Sequence, residues 1–197
     1  MILLAYALET ELRYWTPRDG VKTMAIGIGP VEAASAIAAA LAKERYELVV
    51  NAGIGGAFDG AAEIGDGVVV SDDAIELDLE TGAPIVLPTG EQTVERAYSD
   101  AGLVRRLQSA GLRALRGITV TRVTSTEETA ARLAARGAQV ESMEGFAVLR
   151  AAERAGVRAI ELRGISNRVG DRNVSGWDFE AGARGVQRAL EALFAAL

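Results

Sequence analysis

The sequence predicts an α/β protein, with helices packed about a mixed central β-sheet. Three observations predict it. Short apolar runs of strand length alternate with longer Ala-rich helical stretches along most of the chain. Glycines crowd directly after several of those runs, and the 22 of them exceed ordinary usage. No stretch has the composition of an interdomain linker and no internal repeat is present, so residues 1–197 read as one domain, long enough to bury a core.

Taken in order, Ile2 to Leu8 reads as a buried strand, and Met24 to Ile28 as a second short one ending in Gly27-Ile28-Gly29-Pro30. Val31 to Lys43 is helical, with Pro30 suited to its first turn. Leu48-Val49-Val50 is a buried strand entering a glycine-rich turn, Asn51 to Gly56. Asp66 to Ser71 is a strand and Ala74 to Leu79 its hairpin partner, whereas Glu80 to Gln92, with Gly82, Pro84, Pro88 and Gly90, is a loop. Ser99 to Gly111 is helical and Gly117 to Val123 alternates as a strand. Glu127 to Arg136 is a helix, with Ser125 and Glu128 at capping-box spacing. Gln139 to Met143 is a strand, Gly145 to Ala155 a helix, Val157 to Ile165 a strand, and Asp178 to Leu197 a final amphipathic helix.

Composition excludes several kinds of chemistry. The formal net charge is −6 with no basic cluster, which argues against a nucleic-acid partner. The chain has no cysteine and no histidine, so thiolate metal sites, thiol nucleophiles and imidazole bases are out of reach. Nothing in the sequence calls for a cofactor or a metal. The apolar N-terminus lacks a preceding basic residue and runs at once into Glu9 and Glu11, unlike a secretory signal. No apolar stretch nears the roughly 20 residues a membrane helix needs, so a cytoplasmic protein without membrane contact is expected.

The residues able to do chemistry fall just past the carboxyl ends of expected strands, the edge at which open α/β sheets bind ligands. Glu9 and Glu11 follow the first strand; such residues are more often a solvated helix start, but a hydrolase without histidine needs a carboxylate to activate water. Gly53-Ile54-Gly55-Gly56 fits a dinucleotide fingerprint poorly, since no helix follows it; a tight connection and close approach of a flat ligand both explain it. Glu144, in Glu141-Ser142-Met143-Glu144-Gly145, could accept hydrogen bonds from vicinal hydroxyls or simply complement the dipole of the following helix. Asn167, ending Arg163-Gly164-Ile165-Ser166-Asn167, could meet a 6-oxopurine edge or form an Asx turn. Trp177 reads equally as a packing anchor and a substrate contact.

These motifs, in this order and over essentially the whole chain, resemble the purine nucleoside phosphorylase and nucleosidase superfamily. The resemblance implies a three-layer, nucleoside phosphorylase-like sandwich that binds a small nucleoside, cleaves its N-ribosidic bond, and assembles as a homo-oligomer, a dimer or higher. It implies Glu11 as activator of the attacking water and Asn167 as the group assisting the leaving purine. Glu144, backed by Ser142 and with Met143 against the sugar, would hold ribose. Gly53, Ile54 and Gly55 would lie by base and ribose, and Ser125 and Thr126 would border the base. Phosphorylases of the family carry Arg where this chain has Asn51, which favours water over phosphate. Adenine-specific nucleosidases carry Asp where this chain has Asn167, which favours hypoxanthine; methylthioadenosine and adenosylhomocysteine nucleosidases are the alternative, and a non-catalytic nucleoside-binding module is the rival from another class. Arg172 or Arg168 would meet an acidic substrate tail, on charge alone.

Overall fold

A computed structural model describes residues 1–79, 82–83, 85–170 and 176–197. Among the described residues eight strands form one mixed sheet: β1 (Ile2–Tyr6), β2 (Val21–Ala25), β3 (Leu48–Ala57), β4 (Gly67–Ile75), β5 (Arg96–Tyr98), β6 (Arg113–Thr119), β7 (Val140–Ser142) and β8 (Arg158–Arg168). Helices α1 (Pro30–Lys43), α2 (Ala101–Ser109), α3 (Glu127–Ala135), α4 (Gly145–Arg154) and α5 (Phe179–Ala196) flank it. The strand order is β2-β1-β3-β7-β6-β4-β5, with β8 inserted between β3 and β4. Because β8 pairs parallel with β3 and antiparallel with β4, while β7 bridges the end of β3 to β6, strands β3, β8, β4, β6 and β7 close into a ring.

The side-chain alternation of the strands builds three layers. On one face Leu3, Ala5, Val49 and Ala159 pack beneath Ala33 and Ile37 of α1 and Ala147, Val148 and Leu149 of α4. On the other, Leu4, Val50, Ile160 and Leu162 pack against Leu103 and Leu107 of α2 and Val186, Leu190 and Leu193 of α5. A further cluster joins α3, through Ala130 and Leu133, to Ile118, Val120, Phe58 and Val169. Helix starts follow local chemistry: Asp100 accepts from Leu103 N at 2.9 Å and Asp178 from Ala181 N at 2.8 Å, caps worth about 1 kcal/mol each.

Four expectations need correction. Asn51 to Gly56 is not a turn; β3 runs through it, because backbone pairing with β8 continues past Val50 and the glycines simply carry no side chain. Ala74 does not open a hairpin partner; β4 continues to Ile75 across an irregularity between Val70 and Asp72, held by β6 alongside. Ser166 and Asn167 lie inside β8, which extends to Arg168, and not past its end. The cap of α3 is Thr126, whose hydroxyl accepts from Thr129 N at 3.2 Å, one residue beyond Ser125. The short strand β5 carries too few residues to announce itself. Residues 85–92 hold no strand or helix, as expected of that stretch.

Helix α5 sits unusually close to the sheet. A Cβ on Gly164 of β8 would strike the backbone of Gly182 and stand 2.5 Å from Val186 N, and one on Gly182 would lie 2.8 Å from Ile54 Cγ2. Glycine on both sides sets the helix-to-sheet distance. Gly164→Ala should therefore cost about 1–3 kcal/mol through overpacking, read as a lower midpoint in urea with an unchanged slope.

Candidate active site

The carboxyl-terminal halves of the strands open into a cavity of about 270 Å³. Its apolar walls come from Leu8, Ile28, Ile54, Val123, Met143 and the Trp177–Phe179 pair, whose ring centroids are 5.3 Å apart. Its polar groups are Glu11, Glu141, Ser142, Glu144, Ser166 and Asn167, every one of them buried.

Glu11 stands on a single 3₁₀ turn, Glu9–Leu12, directly after β1. Its Oε2 accepts from Ala7 N at 3.0 Å and Leu8 N at 2.8 Å, and its Oε1 from Ile54 N at 3.0 Å. Burial nevertheless raises its pKa above the ordinary Glu value; those amides and Arg163 pull it back, while Glu144 adds to the rise. Glu9, by contrast, is exposed and accepts from Tyr6 Oη at 2.7 Å.

Glu144 is the residue before α4 but makes no side-chain cap there. Its Oε1 instead accepts from Gly29 N at 2.9 Å, across 115 residues of chain. Gly29 can offer that amide because its φ of +91°, suited to glycine, turns the chain into α1 at this point. Ser142 Oγ accepts from Gly145 N at 3.2 Å and so does the work at the helix start that Glu144 does not. Behind the two glutamates lies Arg163, 1% exposed. Its Nη1 is 3.8 Å from Glu144 Oε2 and 3.4 Å from Ile54 O, and its Nε donates to Glu161 Oε1 at 2.9 Å. Burial would depress the guanidinium, but Glu161 and Glu144 raise it above the ordinary value, so Arg163 is a cation.

Asn167 closes the other end. Ser166 Oγ donates to its Oδ1 at 2.9 Å, and its Nδ2 donates to Arg168 O at 3.0 Å. One Nδ2 hydrogen and acceptor capacity on Oδ1 remain. Gly56, beside it on β3, is the floor: a Cβ there would stand 2.9 Å from Asn167 Nδ2.

The structure thus gathers Glu11, Ile54, Gly55, Ser142, Met143, Glu144, Asn167 and Trp177 around one cavity. Gly53 does not line it; it lies beneath, where a Cβ would be 2.7 Å from Arg163 Nη1 and 2.9 Å from Glu11 Oε1. Ser125 and Thr126 are exposed and lie outside the lining, Thr126 being occupied as the α3 cap; Val123 holds that border instead. Thr124 donates to Glu141 from its backbone N at 3.1 Å and from its hydroxyl. Arg168 turns to the surface, toward Asp59 at 3.5 Å and Glu63 at 3.6 Å. Arg172 lies outside the described residues. Asn51 is buried in β3 and does not line the cavity. Sequence reasoning missed Leu8, Ile28, Glu141 and Phe179. Alternation within Val140-Glu141-Ser142 was the available signal for Glu141; the three apolar residues carry none that separates them from core.

The chain matches the phosphorylase superfamily over residues 12–197. It belongs to that superfamily. Among curated members it is similar to futalosine hydrolase of Thermus thermophilus, 37% identical over 177 residues that cover 86% of this chain and 79% of that one. It is 42% identical to futalosine hydrolase of Streptomyces coelicolor over 171 residues, 81% and 72% of the two chains. The fold is that of futalosine hydrolase from Helicobacter pylori, with a TM-score of 0.83 at 17% identity over 100% of this chain and 97% of that one. It is also that of a 5′-methylthioadenosine/S-adenosylhomocysteine nucleosidase from Colwellia psychrerythraea in complex with adenine, TM-score 0.79 at 22% identity, covering 100% and 95%.

A carboxyl ¹³C titration of the folded protein should place Glu11 above an exposed glutamate. Its pKa is raised, so the stability linked to its burial is full at low pH and is lost as pH rises through that value. A Glu11 resonance titrating at or below 4.5, the ordinary value, would contradict the burial argument.

Proposed function

We propose that this phosphorylase-superfamily protein is a futalosine hydrolase, an N-glycosyl hydrolase that replaces hypoxanthine on ribose with water. One observation carries the geometry: Glu11 lies over Gly53 and Asn167 over Gly56, so the two reach the same cavity three residues apart along β3. At strand rise that separation is roughly 10 Å, room for a ribose at one end and a purine at the other. The curated relatives supply the substrate name.

In this reading Glu11 takes a proton from water as the water oxygen bonds to the anomeric carbon. The bond from that carbon to the purine nitrogen breaks, and its electron pair leaves with the base. Positive charge gathers on the sugar meanwhile, as in other glycoside cleavages. Glu144, with one oxygen held by Gly29 N, keeps its second oxygen for the ribose hydroxyls and stabilises that charge. Asn167 donates its remaining N–H toward N7 or O6 of the departing hypoxanthine, and the fixed orientation from Ser166 limits how it can turn. Leu8, Ile28 and Met143 exclude bulk water from the sugar, and Trp177 with Phe179 supplies an aromatic wall. Arg172 stays the candidate for the acidic tail, since Arg168 is engaged with surface acids. We read residues 1–197 as one nucleosidase domain acting as a homo-oligomer. Among the described residues no helix is long and apolar enough to cross a membrane, in keeping with a cytoplasmic setting.

The test is release of free base from futalosine, inosine and methylthioadenosine, with and without phosphate. Hypoxanthine released from futalosine without phosphate is the expected result; strict phosphate dependence removes hydrolysis, and no release from any nucleoside leaves a binding module. Glu11→Gln should lower kcat by about 10²–10⁴-fold while substrate still binds. Asn167→Asp should weaken the preference for 6-oxopurine over 6-aminopurine nucleosides, measured as the ratio of kcat/KM values. An unchanged ratio would separate Asn167 from base selection.

A further inference from the structure

Beneath the ribose end of the cavity lie two acids that this chemistry does not use. Asp73 on β4 and Glu161 on β8 are both fully buried. They meet under the first residue of α4, where a Cβ on Gly145 would collide with both carboxylates. One oxygen of each is provided for. Asp73 Oδ1 accepts from Thr119 Oγ1 at 2.8 Å. Thr119 Oγ1 itself accepts from Phe146 N at 2.8 Å, and its single hydrogen is committed to Asp73. Glu161 Oε1 accepts from Arg163 Nε at 2.9 Å. The other two oxygens, Asp73 Oδ2 and Glu161 Oε2, have no donor among the described residues. Two bare carboxylate oxygens side by side in a dry interior are strongly unfavourable, and a single proton between them satisfies both.

We infer that Asp73 and Glu161 share one proton, held on Asp73 Oδ2 and donated to Glu161 Oε2, and that the pair positions Arg163 against Glu144 and Glu11. Thr119 fixes which Asp73 oxygen carries the proton, and Arg163 fixes which Glu161 oxygen stays bare. The balance of charge agrees. Burial pushes Asp73 well above the usual carboxylate range, and Glu161 beside it pushes the same way, against weaker opposition from Thr119 and Arg163. Burial also raises Glu161, but the adjacent guanidinium pulls it back, so the proton belongs on Asp73.

The charged neighbours are few. Glu161 and Arg163 come from β8, Glu144 from the start of α4, and Glu11 from the turn after β1. Strand β6 offers the Thr119 hydroxyl, and Arg96 on β5 is paired with Asp72 instead. With the proton in place one guanidinium answers three carboxylates. Glu161 takes its Nε, Nη2 has no acceptor within hydrogen-bond distance among the described residues, and Nη1 is left toward Ile54 O and Glu144. By taking up part of the positive charge, Glu161 also weakens the pull of Arg163 on Glu11. Glu11 therefore keeps the basicity that its burial confers.

The positioning role rests on the hydrolase reading; the shared proton does not. Both are tested by pH profiles of kcat and KM, with thermal melting across the same pH range, for the wild type, Glu161→Gln, Asp73→Asn and Asp73→Ala. Glu161→Gln should lower kcat about tenfold or more, change KM less, and move the acid limb of kcat/KM to lower pH, because Arg163 then acts on Glu11 undiluted. Asp73→Ala should also lose kcat, and Asp73→Asn, an uncharged donor of the same shape, should restore most of it. The folded wild type keeps a proton that the unfolded chain releases, so its stability falls as pH rises toward the pKa of folded Asp73. The melting advantage of Asp73→Asn over wild type should therefore widen between about pH 5 and pH 8. A gap independent of pH overturns the shared proton. A folded Glu161→Gln with kcat and acid limb unmoved overturns the positioning role. If Glu161→Gln does not fold, failure of Asp73→Asn to rescue Asp73→Ala overturns it instead. A wild type inactive on every nucleoside removes the hydrolase reading and the positioning role with it, while the melting comparison still decides the proton.

Discussion

A guanidinium sealed from water, with carboxylates arranged around it, is the constraint on which the site depends. Arg163 cannot be left uncompensated in a dry interior, because removing one partner of a buried pair costs several kcal/mol, roughly 3–5 by general experience. Glu161 accepts from its Nε and Glu144 faces its Nη1, while Nη2 has no acceptor within hydrogen-bond distance among the described residues. Around that cation the sequence has had to place glycine wherever a side chain would intrude. Gly53 clears the space over which Arg163 and Glu11 converge, and Gly145 clears the space taken by Asp73 and Glu161. Glycine at Gly53 and Gly145 is thus a consequence of crowding charge into one small volume.

The same constraint explains why the site spans so much sequence. The amide that holds Glu144 comes from Gly29, and one that holds Glu11 comes from Ile54. Neither carboxylate is placed by its own element alone. The 3₁₀ turn brings Glu11 near Ala7 and Leu8, but its contact with β3 turns it inward. Local structure supplies the approach, and the sheet supplies the aim.

Much of this was legible in the residues. Apolar runs gave the layered α/β architecture because β1 and the first half of β3 are buried and read as continuous hydrophobic stretches, while β8, equally buried, interrupts its run with Glu161 and Arg163. Asn51 to Gly56 misled, since glycine signals a turn and a bare strand equally well, and only pairing with β8 separates them. Ser125 and Thr126 misled because a threonine before an acidic helix start is a cap by local rules and a site residue by family likeness; the cap prevailed. Asp73 and Glu161 could not be found at all. They stand 88 residues apart in number on different strands, and nothing in either neighbourhood marks them as partners until the β4–β8 pairing is known.

Strand β8 carries both Arg163 and Asn167, and it is bonded to β3 on one side and β4 on the other. The group behind one end of the cavity and the group lining the other are therefore mounted on a single strand, bonded to β3 along its length and to β4 over Glu161–Gly164. Such a strand cannot stretch to suit a longer or shorter ligand. On the hydrolase reading it acts as a gauge for molecules whose sugar and base sit at one fixed spacing. Chemical variety among acceptable ligands is thereby confined to whatever projects beyond that gauge, past the rim where β8 ends.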